Sequence, residues 1–417
     1  MSILTIINIA LSNALLLWPI WFSVYILRLK TLNPFTILMC IWLPFDTMKL
    51  YGGPIVLIDE GLFNQGYQYA IFVNNLFTIM QIFGIIFFYQ IFSKMKIDNI
   101  ILNSQKILSE KHIYRCARFF FIIYIISMYQ LISGEYGVIN WLLNPREGYQ
   151  HYRTGNGHWY ALSISALSVS FLFFFLAKPV PLTLLKNTLI YIMLAYFMGS
   201  KGFILSICGA ALVFLWFIRW RHINKLLILG APFIFCLLIY NLYLALGDTF
   251  DLLAIVQYFD YYKNAAIYYN AILNNEIDLF YGEVFFSSFW SYVPRVLVPD
   301  KPFVYGVTLV NEIFFPGQAA LTNTPSFGGA VQEFSDFGLI GVVFFGFFSS
   351  QSIIVALSSH VLFKNNIIDF NKINIGIIII LLIQYAPYFG SFLPAGLYLL
   401  LVASVYFSII TVKKLNF

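Results

Sequence analysis

The chain has 417 residues, of which 60% are hydrophobic and only 10% charged, with a net charge of +6 and a mean hydropathy of +0.82. Soluble domains carry about 25% charged residues, so this composition excludes a soluble enzyme and a nucleic-acid-binding module and leaves an all-α polytopic membrane protein. The positive balance then reads as sidedness rather than as a sign of acidic partners.

A helix needs roughly 20 apolar residues to cross a bilayer. Runs of that kind predict eleven spans, at 3–27, 33–45, 67–92, 119–133, 159–177, 187–199, 203–218, 226–246, 337–362, 373–389 and 394–412, forming one integral domain over 1–417. The N-terminus shows no basic region or cleavage site, so its apolar run is expected to stay as a helix. Cys40, Cys116, Cys208 and Cys236 lie in or beside apolar runs without pairwise spacing. They read as core residues, with no disulfide or metal signal.

Lys and Arg collect in cytoplasmic loops. On these spans, 17 of the 24 basic residues fall on one side with only Asp98, Glu110 and Asp369 among the acids. That places the C-terminal Lys413-Lys414 inside, the N-terminus in the periplasm, and two large loops outside, 134–158 and 247–335. The spans hold neutral polar groups such as Asn74, Asn75, Gln81, Asn241 and Gln384 and no mid-membrane charge. Helix-to-helix hydrogen bonding is the expectation for these, and it argues against an ion-coupled pump.

The loops follow in order. Asp46 to Gly66 reads as a solvated connection turned at Gly52-Gly53-Pro54. The 134–158 loop runs Asn144-Pro145-Arg146-Glu147-Gly148-Tyr149-Gln150-His151-Tyr152-Arg153-Thr154-Gly155-Asn156-Gly157-His158. Guanidiniums offer a fork of donors that matches phosphate oxygens, and glycines let backbone N–H groups approach an anion, so Arg146, Arg153, His151 and Gly157 are candidates for phosphate and sugar contact. An interfacial belt of Arg and Tyr is the competing reading.

The 247–335 loop opens with Leu252, Ile255, Phe259, Tyr262, Ala266, Tyr269 and Leu273 at a period near 3.6, expected as an amphipathic helix on the outer leaflet. Tyr258, Tyr261, Tyr268 and Tyr281 around it are candidates for stacking on sugars. Ser291-Tyr292-Val293-Pro294-Arg295 follows, with Pro299 and Pro302 enforcing an extended path that holds Arg295 and Lys301. The loop closes on Glu333 and Asp336: Glu333 is a candidate general base, although acids favour helix N-termini in any case.

Arg146 is followed eleven positions later by Gly157, and Arg295 eleven positions later by Gly306. One such pair in each of two large periplasmic loops resembles the bacterial O-antigen polymerases of the Wzy type, a family also similar in Ser200-Lys201-Gly202, Pro294-Arg295, Lys301-Pro302, Glu333 and Asp336-Phe337-Gly338. Lys201 stands where that family often has Arg. The resemblance implies a GT-C-like, metal-independent glycosyltransferase of the bacterial inner membrane. It would polymerise undecaprenyl-diphosphate-linked oligosaccharide repeat units, with undecaprenyl diphosphate leaving, alongside a chain-length regulator and a flippase. No cofactor is expected. On this reading Arg295, Arg146 and Glu333 are catalytic, and Arg153, Lys201, Lys301, Gly157, Gly306, His151 and Tyr292 contact substrate. An O-antigen ligase shares much of this pattern, although the duplicated arginine–glycine spacing favours the polymerase. A lipid-linked oligosaccharide flippase fits less well, because it would carry charge within the spans.

Overall fold

The computed structural model describes residues 3–59, 65–95, 109–134, 136–151, 157–177, 181–217, 232, 236, 239, 240, 243, 262–293, 295, 297–318 and 325–363. Among them every regular element is helical. In chain order they are α1 (Ile3–Leu16), α2 (Trp18–Trp21), α3 (Pro34–Asp59), α4 (Gln65–Lys94), α5 (Glu110–Ile132), α6 (Val138–Leu143), α7 (Pro145–His151), α8 (Gly157–Leu176), α9 (Pro181–Tyr196), α10 (Lys201–Phe217), α11 (Tyr262–Leu273), α12 (Glu283–Ser287), α13 (Thr308–Phe314), α14 (Val331–Phe347) and α15 (Ser350–Ser358).

Among the described residues, four stretches are long and apolar enough to cross a membrane: Gln65–Lys94, Glu110–Ile132, Gly157–Leu176 and Val331–Leu362. The pair Ile6–Leu16 and Trp18–Ile26, bent by 43°, passes the same test only when taken together as one broken span. The chain is therefore an all-α, multi-pass membrane protein. The expected spans at 187–199 and 203–218 occur as the shorter α9 and α10. Those at 373–389 and 394–412, and nearly all of 226–246, lie outside the described residues.

Two expectations change. The connection predicted at 46–66 is largely helix, because α3 runs through Gly52-Gly53-Pro54 to Asp59. Glycine and proline break helices weakly in membrane proteins, where neighbouring groups satisfy the freed backbone. Helix α5 starts at Glu110 rather than near 119 and carries Lys111, Arg115 and Arg118, the last with its guanidinium 4.9 Å from the centre of the Tyr114 ring.

The chain divides into two compact units. The first gathers the described residues of 1–92, 239–291 and 301–356. Helix α4 is its spine. Asn75, buried, donates to the Asn8 carbonyl at 2.9 Å and accepts from the Ser12 hydroxyl at 2.8 Å, tying α1 to α4. Close approaches do the rest: a Cβ on Gly84 would lie 2.2 Å from the Phe347 carbonyl, and one on Gly66 would lie 2.3 Å from that of Ala266. Small residues admit neighbouring backbones in this way where lipid gives no hydrophobic drive between helices.

The second unit gathers the described residues of 93–238, 292–300 and 357–417. Helix α8 is buried along its length. Its Ser163 hydroxyl donates to Ser127 at 2.9 Å and its Ser170 hydroxyl to the Ala117 carbonyl at 2.8 Å. The partner number falls as the α8 number rises, so α5 and α8 are antiparallel. Ser170 also meets the Tyr191 hydroxyl at 2.7 Å, and Tyr124 donates to the Leu194 carbonyl at 3.2 Å, which seats α9 against both.

Candidate functional site

That packing determines which loops share an end of the second unit. The C-terminus of α5, the N-terminus of α8, the C-terminus of α9 and the N-terminus of α10 lie together. Two buried side chains lock the arrangement: Trp141 Nε1–H donates to the Phe197 carbonyl at 2.7 Å, and the Tyr160 hydroxyl to that of Met198 at 3.1 Å. Arg146 and His151 on α7, Gly157 opening α8 and Lys201 opening α10 therefore belong to one end of one bundle. The side chains of His151 and Lys201, and all of Arg153, lie outside the described residues.

Helix α7 forms because Pro145 suits the first helical position and Asn144 precedes it as cap, its Oδ1 reaching the Glu147 N–H at 3.4 Å. Glu147 Oε2 accepts from the Tyr136 hydroxyl at 2.8 Å and from Asn144 Nδ2 at 3.0 Å. Burial, with the Glu147 carboxylate beside it, pushes the Tyr136 hydroxyl up to about 12. Gly148 lies flat on the indole: a Cβ there would come 2.6 Å from Trp141. Arg146, half-buried, thus stands on a short helix fixed by Trp141 beneath and Glu147 beside it.

Arg295 falls in the same unit as Arg146. Its guanidinium donates to the Pro299 carbonyl at 3.4 Å, a long bond. The Tyr292 side chain is outside the described residues.

Lys301, Gly306 and Glu333 belong to the first unit. Lys301 is buried, with its ammonium 4.6 Å from the centre of the Tyr305 ring. Gly306 has a backbone task. At φ +59 it takes the left-handed turn that starts α13, its N–H donates to the Ser287 hydroxyl at 2.8 Å, and a Cβ would meet Ser288 Oγ at 2.8 Å. Glu333, half-buried, lies on the first turn of α14. The two arginines of the duplicated spacing are thus in one unit, while Gly306 and Glu333 are in the other.

The described part of the expected leaflet helix faces protein instead. In α11, Tyr262, Ala265, Ala266, Tyr268 and Tyr269 are buried; Tyr262 meets Tyr67, and Tyr269 meets Tyr69 at 5.3 Å between ring centres. The Gly66 N–H donates to Asn270 Oδ1 at 2.8 Å. Tyr268 is therefore unavailable for sugar stacking, whereas Tyr281 is exposed. Tyr258 and Tyr261 lie outside the described residues.

Asp336 behaves unlike the acid expected at its own helix start. Its Oδ1 accepts from the N–H groups of Gly282 and Val284, both at 3.0 Å, and its Oδ2 from that of Phe285 at 2.6 Å. It caps α12, more than fifty residues upstream. Neither this role nor that of Trp141 has a local signal, although Asn144-Pro145 does mark the start of α7.

No family model matches the sequence. Two curated relatives, the O-antigen polymerases of Salmonella typhimurium and Salmonella typhi, are each 27% identical over 305 residues, covering 69% of this chain and 70% of the relative. The resemblance drawn from the arginine–glycine spacing thus has sequence similarity over two thirds of the chain behind it. No solved structure matches.

Proposed function

We propose that the chain is an O-antigen polymerase: an inner-membrane glycosyltransferase that joins undecaprenyl-diphosphate-linked repeat units on the periplasmic face. The observation that carries this reading is the similarity to two O-antigen polymerases over 69% of the chain. The multi-pass helical body suits a lipid-linked substrate, and cations at 146 and 201 on one end of a bundle suit its diphosphate.

In the proposed reaction a hydroxyl of one lipid-linked glycan attacks the anomeric carbon of another. The carbon–oxygen bond to the diphosphate breaks, and undecaprenyl diphosphate departs with the electron pair. Arg146 and Arg295 stabilise the charge that develops on the leaving group, where a preorganised cation acts most strongly. Glu333 accepts the proton of the attacking hydroxyl. Arg153, Lys201, Lys301, His151 and Tyr292 bind the substrate, and no metal takes part. With the N-terminus periplasmic, the duplicated arginines face away from nucleotide sugars, which favours a lipid-linked donor. A chain-length regulator and a flippase complete the proposed partners.

Deleting the gene in its host and resolving the surface polysaccharide on a gel tests the reading. Loss of long chains, with single repeat units still attached to the lipid core, is the expected result, and neither Arg146→Ala nor Arg295→Ala should restore them although both variants reach the membrane. Long chains retained on the lipid carrier would point to a ligase, and an unchanged gel would overturn both.

A further inference from the structure

Segment 280–289 was expected in the aqueous part of the 247–335 loop, yet its surface is apolar. Tyr281 is 77% exposed, Phe286 72% and Phe289 67%, with Phe285 half exposed beside them. The ridge continues onto α14, where Phe337, Ile340, Phe344 and Phe348 are also exposed at helical spacing along the face of a membrane span. The two parts are joined by packing: Phe285 stacks on Phe345 with ring centres 5.2 Å apart.

The N–H groups of residues 280–286 are all paired within the protein. α14 breaks at Phe337 and Gly338, whose backbone angles are non-helical. The carbonyls of Ser335 and Asp336, left without their helical partners, accept from the N–H groups of Phe280 and Tyr281 at 2.9 and 3.2 Å. The Asp336 carboxylate, 1% exposed, takes those of Gly282, Val284 and Phe285. Glu283 N–H donates to the Phe280 carbonyl and Phe286 N–H to that of Gly282. Two consecutive left-handed residues, Tyr281 at φ +50 and Gly282 at φ +101, turn the N–H groups inward. Non-helical backbone is tolerated at membrane depth only when its polar groups are satisfied within the protein, and here all seven consecutive N–H groups of residues 280–286 meet that condition.

We infer that residues 280–289 form a wedge embedded in the hydrocarbon of the bilayer, clamped by Asp336 to the break in α14, with lipid acyl chains covering its aromatic ridge. The continuity of the ridge with the exposed face of α14 selects bulk lipid as the occupant. Exposed Glu283 marks the edge of the wedge at the headgroups. The inference stands independently of the glycan chemistry proposed above.

Spin labels test it in the full chain. With Cys40, Cys116, Cys208 and Cys236 replaced by alanine, a nitroxide is placed at Phe286→Cys, at Phe289→Cys or at the exposed control Glu276→Cys, and the protein is reconstituted in phosphatidylethanolamine–phosphatidylglycerol vesicles. Dissolved oxygen should collide with the labels at 286 and 289 severalfold more often than a water-soluble nickel chelate, with the preference reversed at 276. Equal nickel access at all three positions would overturn the wedge. Shielding that develops only when a long-chain polyprenyl phosphate is added would overturn bulk lipid as the occupant and assign the ridge to a carrier chain.

Discussion

The segment around Arg146 and the segment around Asp336 both hold irregular backbone in place, and they do it with different chemistry. The first is held by shape: a buried indole with one N–H bond to Phe197, a glycine laid on its ring, and a carboxylate bonded to a phenol and an amide. The second is held by charge, one buried carboxylate accepting from three backbone N–H groups. Neutral bonds contribute about 0.5–1.5 kcal/mol each and bonds to a charged group about 1.5–3, and of the two carboxylates Asp336 is buried while Glu147 is exposed and screened by solvent. Shape-based support should therefore yield gradually, while the clamp should fail as a unit.

The sharpest way to break this contrast is Asp336→Ala, which strands three donors and is expected to remove about 3–5 kcal/mol of stability. Trp141→Phe loses one neutral bond and part of a buried ring system, about 2 kcal/mol. Thermal unfolding of the two purified variants in detergent measures both. If Asp336→Ala unfolds within a degree or two of Trp141→Phe, the clamp is no stronger than the indole.

A smaller pair compares the two glycines of the family-like segments. Gly148→Ala drives a methyl into a rigid indole at 2.6 Å and should cost about 1–3 kcal/mol while displacing α7 and lowering polymerisation. Gly306→Ala meets a Ser288 hydroxyl that can rotate away, so its cost is the left-handed backbone alone, about 1–2 kcal/mol. Unfolding midpoints and polysaccharide gels on both variants separate them: Gly148→Ala should affect chain growth at least as strongly as stability, and Gly306→Ala mainly stability.

These residues also mark what was legible in the sequence. Hydropathy alone located α4 and α8 almost to their ends, because a membrane helix announces itself by composition. It misplaced the start of α5, since hydropathy windows stop at Arg115 and Arg118 while helical hydrogen bonds do not. Asn75 was readable as a helix-to-helix bond. The duplicated spacing pointed to the O-antigen polymerases that the chain is similar to, but it could not reveal that Gly306 answers to Ser287 and Ser288, or that Asp336 caps a helix far upstream. Those are contacts between distant residues, and no periodicity encodes them. The period-3.6 pattern of 262–273 was real, yet its apolar face had a protein partner in α4 that only the fold supplies.

The smallest expected effect is also the cleanest test of the Arg146 segment. The Tyr136 hydroxyl titrates near 10 when free and is pushed up to about 12 here, by burial first and by Glu147 second. A group whose folded value is raised contributes its stability fully below the free value, and that contribution is lost as pH rises through 10 towards about 12, because the unfolded chain releases its proton first. Tyr136→Phe removes both the bond to Glu147 and this dependence. At neutral pH the variant should be less stable by no more than about 1 kcal/mol, since the pair is partly open to solvent. Between pH 10 and about 12 the wild-type chain should lose its advantage and converge on the variant. The other tyrosines titrate equally in both proteins, so the difference between the two unfolding curves isolates this one. A gap that stays constant across that window would mean that Glu147 is held by Asn144 alone and that Tyr136 plays no part in fixing Arg146.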